Sequence, residues 1–326
     1  MKKIRWGIVG PGGIANKFAK AIKNVDCAEL VAVASRSEQS GKAFAEKYDI
    51  SNVFCGYESM AKSDVVDAVY IATPHPFHKP CTELFLENKK HVLCEKPICV
   101  NAMQAKALQK TAKENSVFLM EAMWTRFLPA VNEAISIVKS GEIGDVLGVS
   151  ADFCYSSTPK EESKIYLNNM AGGSLLDVGT YGLHFASLFL GSNPELISAV
   201  SNVQNGVDVH THVLLRYRNG AIADISSAIG VKKPPIAYIY GSKGRICLPT
   251  FYGAQELLLT VGENTKRIAK PSIGDGFEEE IYEACNCINS GKTESDTMTL
   301  NESIAILEIM DEIRKQIEVK YPFDVE

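Results

Sequence analysis

The chain has 326 residues, of which 46% are hydrophobic and 22% charged, with a formal net charge of −5. This is the balance of a globular protein, and two domains are the natural expectation at this length. The basic residues form no cluster, which argues against nucleic acid or an anionic membrane as a partner, and no apolar run approaches the roughly 20 residues of a membrane-spanning helix. The apolar N-terminus breaks at a glycine-rich turn, unlike a signal peptide. Nine cysteines lie without CxxC pairs, so we expect free thiols and a cytoplasmic protein.

The first 122 residues alternate between short apolar runs and helical periodicity. Strands are predicted at residues 4–9, 29–34, 65–72, 91–94 and 117–120, and helical patterns lie between them. Strands that alternate with helices indicate βαβ units with right-handed crossovers. The pattern therefore predicts an α/β fold that begins with a Rossmann domain, a doubly wound parallel sheet, over residues 1–122.

Beyond residue 123 the pattern changes from alternating units to successive strands. One helix is predicted at 129–140, and strands are predicted at 146–155, 197–203, 212–217, 221–228, 237–240, 245–248 and 255–260. Short turns between strands indicate an antiparallel or mixed sheet. We therefore predict an α+β domain over residues 123–326, with a large open, mostly antiparallel sheet. Helices at 173–190, 277–289 and 301–316 are expected to cover one face, and the bare face predicts a homodimer.

A glycine-rich turn follows the first predicted strand and opens a helix. It has the form G-x-G-x-x-A, in the residues Gly10-Pro11-Gly12-Gly13-Ile14-Ala15. The first glycine permits a tight turn, the second lets the backbone approach a pyrophosphate, and the small last residue lets helix and strand pack closely. The helix N-terminus adds unpaired N–H groups for the phosphates. Dinucleotide binding is favoured over a purely structural turn, because strand, turn and helix are all present.

The second predicted strand ends in Ser35-Arg36-Ser37, where a dinucleotide site meets the adenosine ribose. NAD-selective sites usually carry Asp or Glu there, whereas Arg accommodates a 2′-phosphate. No carboxylate occurs between Leu30 and Ser37. These residues predict a preference for NADP(H) over NAD(H); the alternative is a solvated arginine in a surface loop.

Three further segments are specific in combination. They are Thr73-Pro74-His75-Pro76-Phe77-His78, Cys94-Glu95-Lys96-Pro97, and Gly172-Gly173-Ser174-Leu175-Leu176-Asp177-Val178-Gly179-Thr180-Tyr181. Together with the glycine-rich turn, they resemble the glucose–fructose oxidoreductase, inositol dehydrogenase and rhizopine-catabolism family (Gfo/Idh/MocA) over the whole chain. Tyr181 and the segment Glu121-Ala122-Met123-Trp124-Thr125-Arg126-Phe127 are similar to the branch of dimeric dihydrodiol dehydrogenases and NADP-dependent xylose dehydrogenases.

The resemblance implies an NADP(H)-dependent oxidoreductase that acts on a sugar, polyol or trans-diol. It implies Lys96, Tyr181 and Asp177 as catalytic residues. In addition to the glycine-rich turn and residues 35–37, it implies cofactor contacts from Thr73, Pro74, His75, His78, Glu95, Lys96, Pro97, Trp124 and Arg126. Substrate contacts are expected from Lys96, Trp124, Phe153, Asp177, Tyr181 and His184. The third position of the 73–78 segment is asparagine in many relatives, so the role of His75 is open.

The chemistry of these residues suits hydride transfer, in which the protein must hold a C–O group and move one proton. Lys96 is expected to bind the reacting oxygen, and the Lys96–Pro97 peptide bond is expected to be cis. His75 and His78 have no nearby Cys, Asp or Glu to complete a ligand set, so no metal is expected. Two other functions stay open: a non-catalytic NADP-binding regulator, and an NAD-dependent lyase or glycosidase on the same fold.

Overall fold

The structure is a computed structural model that describes residues 2–157 and 163–324. The chain divides into two compact units. The first unit comprises Met1–Cys99, Met103–Trp124 and Ile273–Ile304, and the second comprises Val100–Ala102, Thr125–Ser272 and Ala305–Glu326. Among the described residues, no helix combines the length and apolar character that crossing a membrane requires.

The first unit contains a sheet of six parallel strands. They are β1 (Ile4–Val9), β2 (Ala28–Ser35), β3 (Asn52–Cys55), β4 (Ala68–Ile71), β5 (His91–Glu95) and β6 (Leu119–Ala122). The intervening helices are α1 (Gly13–Ala21), α2 (Glu38–Tyr48), α3 (Glu58–Ala61), α4 (His78–Glu87) and α5 (Ala102–Asn115). The strand order is β3-β2-β1-β4-β5-β6. This order confirms the predicted doubly wound Rossmann sheet, although the short edge strand β3 was not predicted.

The strand order reverses between β1 and β4, which are hydrogen-bonded neighbours in the sheet. In open α/β sheets, ligands bind outside the carboxyl ends of the strands at such a reversal. β1 ends at Val9 and β4 at Ile71. The glycine-rich turn and the Thr73 segment therefore emerge side by side at this edge.

The second unit contains an eight-stranded mixed sheet. The helix α6 (Pro129–Ser140) precedes it, and its strands are β7 (Val146–Cys154), β8 (Leu196–Gln204), β9 (Val207–Arg216), β10 (Ile222–Ala228), β11 (Ile236–Gly241), β12 (Gly244–Pro249), β13 (Glu256–Val261) and β14 (Asn264–Ala269). Only the β7–β10 pair is parallel, which confirms a mostly antiparallel sheet. The helix α7 (Thr180–Leu190) packs on β7 and β10.

The helix predicted at 173–190 is not one regular helix. It begins as a single turn of π-helix, Leu175–Gly179, and continues as α7. The buried Asp208 carboxylate accepts hydrogen bonds from the Ser174 hydroxyl and the Leu175 amide. These bonds fix the start of the helical segment.

The two C-terminal helices are α8 (Phe277–Asn289) and α9 (Leu300–Gln316). The expectation that α8 covers the second sheet is wrong, because α8 packs on α1 and β2 in the first unit. Its buried side chains include Phe277, whose ring stacks on Trp124 with centroids 4.9 Å apart. The chain thus returns to the first unit to bury the apolar face of this helix. The assignment of residues 123–326 to a substrate domain stays a prediction.

Candidate active site

The glycine-rich turn has the geometry of a phosphate-binding loop. Gly10 adopts a φ of 87°, and a Cβ there would lie 3.2 Å from the Ala72 carbonyl oxygen. Gly12 and Gly13 are exposed at the start of α1, and a Cβ on Gly13 would project into open space. Ala15 is buried against the sheet, as close packing of helix and strand requires. The turn therefore leaves backbone N–H groups accessible and fits a dinucleotide pyrophosphate.

The end of β2 presents Arg36 to solvent beside the N-terminus of α2. Ser35 is buried, and its hydroxyl accepts a hydrogen bond from the Ser37 amide at 3.2 Å. The Ser37 hydroxyl caps α2 by accepting from the Ser40 amide at 3.3 Å. The next residue, Glu38, pairs with Lys42 at 2.7 Å. This edge thus offers an exposed guanidinium and a helix N-terminus, and the carboxylate that follows in the sequence, Glu38, has a cation beside it.

The segment after β4 is tied to the segment after β5 through His78. This residue is only 1% exposed, and its two ring nitrogens lie 2.7 Å from the Thr73 carbonyl oxygen and 2.8 Å from that of Pro97. Burial lowers the pKa of His78, so the ring is neutral at pH 7 and donates to one of the two oxygens. His75 lies beside it, with ring centroids 5.7 Å apart. The structure thus brings the two predicted cofactor segments together through His78.

The segment Glu95-Lys96-Pro97 begins at the carboxyl end of β5. The Lys96–Pro97 peptide bond is cis, which confirms that prediction. Glu95 is buried, accepts a hydrogen bond from the Tyr70 hydroxyl, and accepts another from the Lys96 amide at 3.2 Å. Burial raises the pKa of Glu95, although the Lys96 cation opposes the shift. Lys96 is therefore a half-buried lysine that emerges between two buried neighbours, Glu95 and Pro97.

Trp124 and Arg126 have protein contacts of their own. Trp124 is buried in the first unit against Phe277, as an aromatic core residue would be. Arg126 is buried in the second unit, where it donates a hydrogen bond to the Ser187 hydroxyl at 2.8 Å. Contact of either residue with the cofactor stays a prediction.

Asp177 lies on the π-helical turn of the second unit. Its carboxylate accepts a hydrogen bond of 2.7 Å from the Tyr155 hydroxyl. Burial, together with the negative charge of Asp177, raises the pKa of Tyr155 far above its ordinary value. Tyr155 therefore stays protonated and orients the Asp177 carboxylate, a partner that the motif did not reveal.

Tyr181 lies one turn after Asp177, in an aromatic cluster of the second unit. Its ring is 5.3 Å from that of Phe153 and 6.1 Å from that of Tyr252. Phe153 and Tyr252 are stacked, with centroids 4.2 Å apart. His184 is buried on the same helix. The structure thus brings together Asp177, Tyr181 and Phe153 and adds Tyr252, which no sequence pattern had indicated.

A buried carboxylate fixes the start of this helical segment. Asp208 accepts hydrogen bonds from the Ser174 hydroxyl at 2.8 Å, the Leu175 amide at 2.7 Å and the Thr211 hydroxyl at 3.0 Å. Gly173 has a φ of 130°, and a Cβ there would overlap the Asp208 carboxylate. Burial raises the pKa of Asp208 to about 6 despite the three donors. Asp208 thus holds the segment that carries Asp177 and Tyr181.

Comparison with known proteins agrees with this geometry. The family model described as "Oxidoreductase family, NAD-binding Rossmann fold" matches residues 4–123, and the Gfo/Idh/MocA C-terminal domain matches residues 131–247. The chain is 37% identical to trans-1,2-dihydrobenzene-1,2-diol dehydrogenase of Mus musculus and 35% identical to that of Homo sapiens, in both cases over 98% of this chain and 99% of the relative.

Solved structures show the same fold. A 3-ketoreductase from Actinomadura kijaniata, in complex with NADP and TDP-benzene, superposes with a TM-score of 0.89 at 26% identity, over 97% of this chain and 98% of that one. The aldose–aldose oxidoreductase of Caulobacter crescentus has a TM-score of 0.90 at 23% identity over the same shares, and this likeness concerns the fold alone. The family models and the full-length relatives agree: the chain belongs to the Gfo/Idh/MocA family of NAD(P)-binding oxidoreductases, which act on CH–OH groups.

Proposed function

We propose that the chain is an NADP(H)-dependent oxidoreductase that transfers hydride to or from a C–OH or C=O group of a trans-diol, sugar or polyol. The observation that carries the proposal is the placement of Lys96. This half-buried cation emerges at the carboxyl end of β5, next to the strand that flanks the glycine-rich turn. The similarity to trans-dihydrodiol dehydrogenases over 98% of the chain supports the substrate class.

The residues at the switch point of the first sheet fit the cofactor. The glycine-rich turn would hold the pyrophosphate at the N-terminus of α1, and Ser35, Arg36 and Ser37 would meet the adenosine ribose. The remaining proposed cofactor contacts are Thr73, Pro74, His75, His78, Glu95, Lys96, Pro97, Trp124 and Arg126. His78 would act by holding the Thr73 and Pro97 segments in place, since both of its ring nitrogens already lie against carbonyl oxygens.

A preference for NADP(H) follows from the charges at the end of β2. An exposed guanidinium matches a phosphate in shape and charge and can form a two-pronged hydrogen bond. Because Lys42 pairs with Glu38, this carboxylate would not leave a bare negative charge facing the 2′-phosphate. Arg36 would therefore favour the phosphorylated cofactor.

The reaction requires the chain to hold one oxygen and move one proton, while the bound nicotinamide supplies or accepts the hydride. Lys96 would hold the reacting oxygen and stabilise its negative charge. Tyr181 would exchange the proton, and Asp177, oriented by Tyr155, would bind a second substrate hydroxyl or orient the reacting group. A positioned acid–base group of this kind contributes roughly 10²- to 10⁴-fold to the rate.

The proposed substrate contacts combine charged and aromatic side chains. They are Lys96, Trp124, Phe153, Asp177, Tyr181 and His184. An aromatic wall beside carboxylate and hydroxyl groups suits a cyclic substrate with adjacent hydroxyls. The proposal includes a homodimer formed through the second sheet and a cytoplasmic location, which is consistent with nine free thiols.

The test is an activity screen that uses both cofactors. The purified protein is mixed with NADP⁺ or NAD⁺ and with a trans-1,2-dihydrodiol, D-xylose, D-glucose or an inositol, and absorbance is followed at 340 nm. We expect reduction of NADP⁺ by at least one of these substrates, with a kcat/KM at least tenfold above that for NAD⁺.

Two outcomes would contradict the proposal. Tight NADP(H) binding with no absorbance change on any substrate would favour a regulator that only binds the cofactor. Product formation without net consumption of cofactor would favour a lyase or glycosidase.

A further inference from the structure

Arg36, at the carboxyl end of β2, has two aromatic neighbours in the same unit. Its guanidinium carbon lies 5.3 Å from the centroid of the Phe77 ring. The guanidinium also lies close enough to the Tyr57 hydroxyl to interact with it electrostatically. An exposed arginine usually samples many rotamers, but here two contacts from different segments restrict one side chain.

The two partners follow β3 and β4, which lie on opposite sides of the β2–β1 pair in the first sheet. Tyr57 follows β3 and precedes α3, whereas Phe77 lies in the short turn between β4 and α4. The Gly56 amide donates to the Ser35 carbonyl oxygen at 2.9 Å, which fixes the end of β3 to the end of β2. Three strand ends therefore converge on one guanidinium.

The charge state of Tyr57 suits this arrangement. Burial raises the pKa of Tyr57, so the phenol is neutral at pH 7 and its oxygen is able to accept a hydrogen bond from the guanidinium. The guanidinium has five N–H donors, and neither the Phe77 ring nor one phenol oxygen can occupy all of them. Donors for a phosphate therefore stay available while the orientation of the group is restricted.

We propose that Tyr57 and Phe77 form a clamp that pre-orients Arg36 for the 2′-phosphate of NADP(H), so that cofactor preference depends on three residues rather than one. This inference rests on the proposed function, because it assigns Arg36 to the 2′-phosphate. The clamp lowers the entropy lost when the guanidinium binds, and such pre-organisation raises affinity without a new contact to the ligand. Tyr57 and Phe77 are positioning residues, and only Arg36 would touch the phosphate.

The test measures dissociation constants for NADPH and NADH by calorimetry, without turnover. The variants are Tyr57→Phe, Phe77→Leu, their double combination, and Arg36→Ala as the reference. Tyr282→Phe is the matched control, because it removes an exposed hydroxyl bond of the same unit. We expect each single clamp variant to weaken NADPH binding about three- to tenfold and to change NADH binding less than twofold. The double variant should approach Arg36→Ala.

The possible failures are distinguishable. If Arg36→Ala leaves NADPH binding unchanged, the proposed cofactor preference fails, and the clamp fails with it. If Arg36→Ala weakens NADPH binding selectively but the clamp variants match the control, only the clamp is wrong. If Phe77→Leu weakens NADPH and NADH equally, Phe77 contacts the adenine that both cofactors share, and its role in the clamp is overturned. Thermal unfolding of each variant verifies that the fold is retained.

Discussion

Glu280, on α8, is a buried carboxyl group without a hydrogen-bond partner among the described residues. Its exposed fraction is 0%, and neither carboxyl oxygen is bonded. Burial, and then the nearby Glu95, raises the pKa of Glu280 well above its ordinary value. A buried charge without a partner is costly, so we expect the folded protein to hold Glu280 in its protonated form.

This state makes folding stability depend on pH. The unfolded chain releases the Glu280 proton near pH 4.3, whereas the folded chain keeps it to a much higher pH. The contribution of protonated Glu280 to the free energy of unfolding is therefore fully present below about pH 4.3. It is lost as the pH rises towards the pKa of the folded state, by up to about 1.4 kcal/mol per pH unit. We expect Glu280→Gln, which cannot titrate, to gain free energy of unfolding relative to the unaltered protein as pH rises from 5 to 8.

Urea unfolding at several pH values measures this difference. Replacing the carboxyl group by an amide shifts the free energy of unfolding by the same amount at every pH. The decisive quantity is therefore how the difference in this free energy between variant and unaltered protein changes with pH. The exposed Glu263→Gln is the control and should give a flat difference. A flat difference for Glu280→Gln as well would show that Glu280 is ionised in the folded state.

Several candidate site residues are predictable from sequence because short local patterns contain them. The cis bond after Lys96, the positive φ of Gly10 and the clustering of Asp177 with Tyr181 all belong to contiguous motifs. Tyr252 and Glu280 belong to no such contiguous motif. Tyr252 meets Phe153 across roughly a hundred residues of chain, and no local spacing encodes such a contact. Tyr155 is nearer to Asp177 but lies outside the motif.

At the scale of elements, periodicity predicted α6 and α8 with the observed bounds. It missed β3 and β14, which are both edge strands. β14 is mostly exposed, with polar residues on both faces, so it lacks the alternation that identifies a half-buried strand. β3 has only four residues. These two strands form because a neighbouring strand offers hydrogen bonds, which local sequence does not show.

The second sheet has one face away from α7 that carries exposed apolar side chains. These are Leu196, Val200, Leu214, Ile222 and Tyr240. Several exposed apolar side chains on one sheet face favour an interface there, and a two-fold dimer uses one surface twice. We therefore expect a homodimer through this face.

Light scattering at micromolar concentration tests the assembly. The unaltered chain should have about twice the monomer mass of 35.6 kDa, and Val200→Glu should shift it towards the monomer. Met103→Glu is the matched control, because Met103 is also exposed, 49% against 69% for Val200, but lies in the first unit. A monomer mass for the unaltered chain, or the same shift in both variants, would contradict an interface on this face.

At the scale of the whole molecule, the order of elements along the chain does not give the order in space. Residues 273–304 rejoin the first unit after the chain has formed the second sheet. Their sequence shows an amphipathic helix but not the surface that it covers. The family resemblance and the folded units agree on fold class, whereas the path of the C-terminal segment is visible only in three dimensions.

The central claim, that Lys96 holds the reacting oxygen of a hydride transfer, is tested most directly by turnover of Lys96→Met. Methionine keeps the apolar length of the side chain and removes the cation. With a substrate found in the screen, we expect kcat to fall roughly 10²- to 10⁴-fold, while the dissociation constant for NADPH stays within about threefold because the phosphate-binding residues are intact. The exposed Lys62→Met should match the unaltered enzyme. A Lys96→Met variant that retains more than half of the turnover would contradict the assignment.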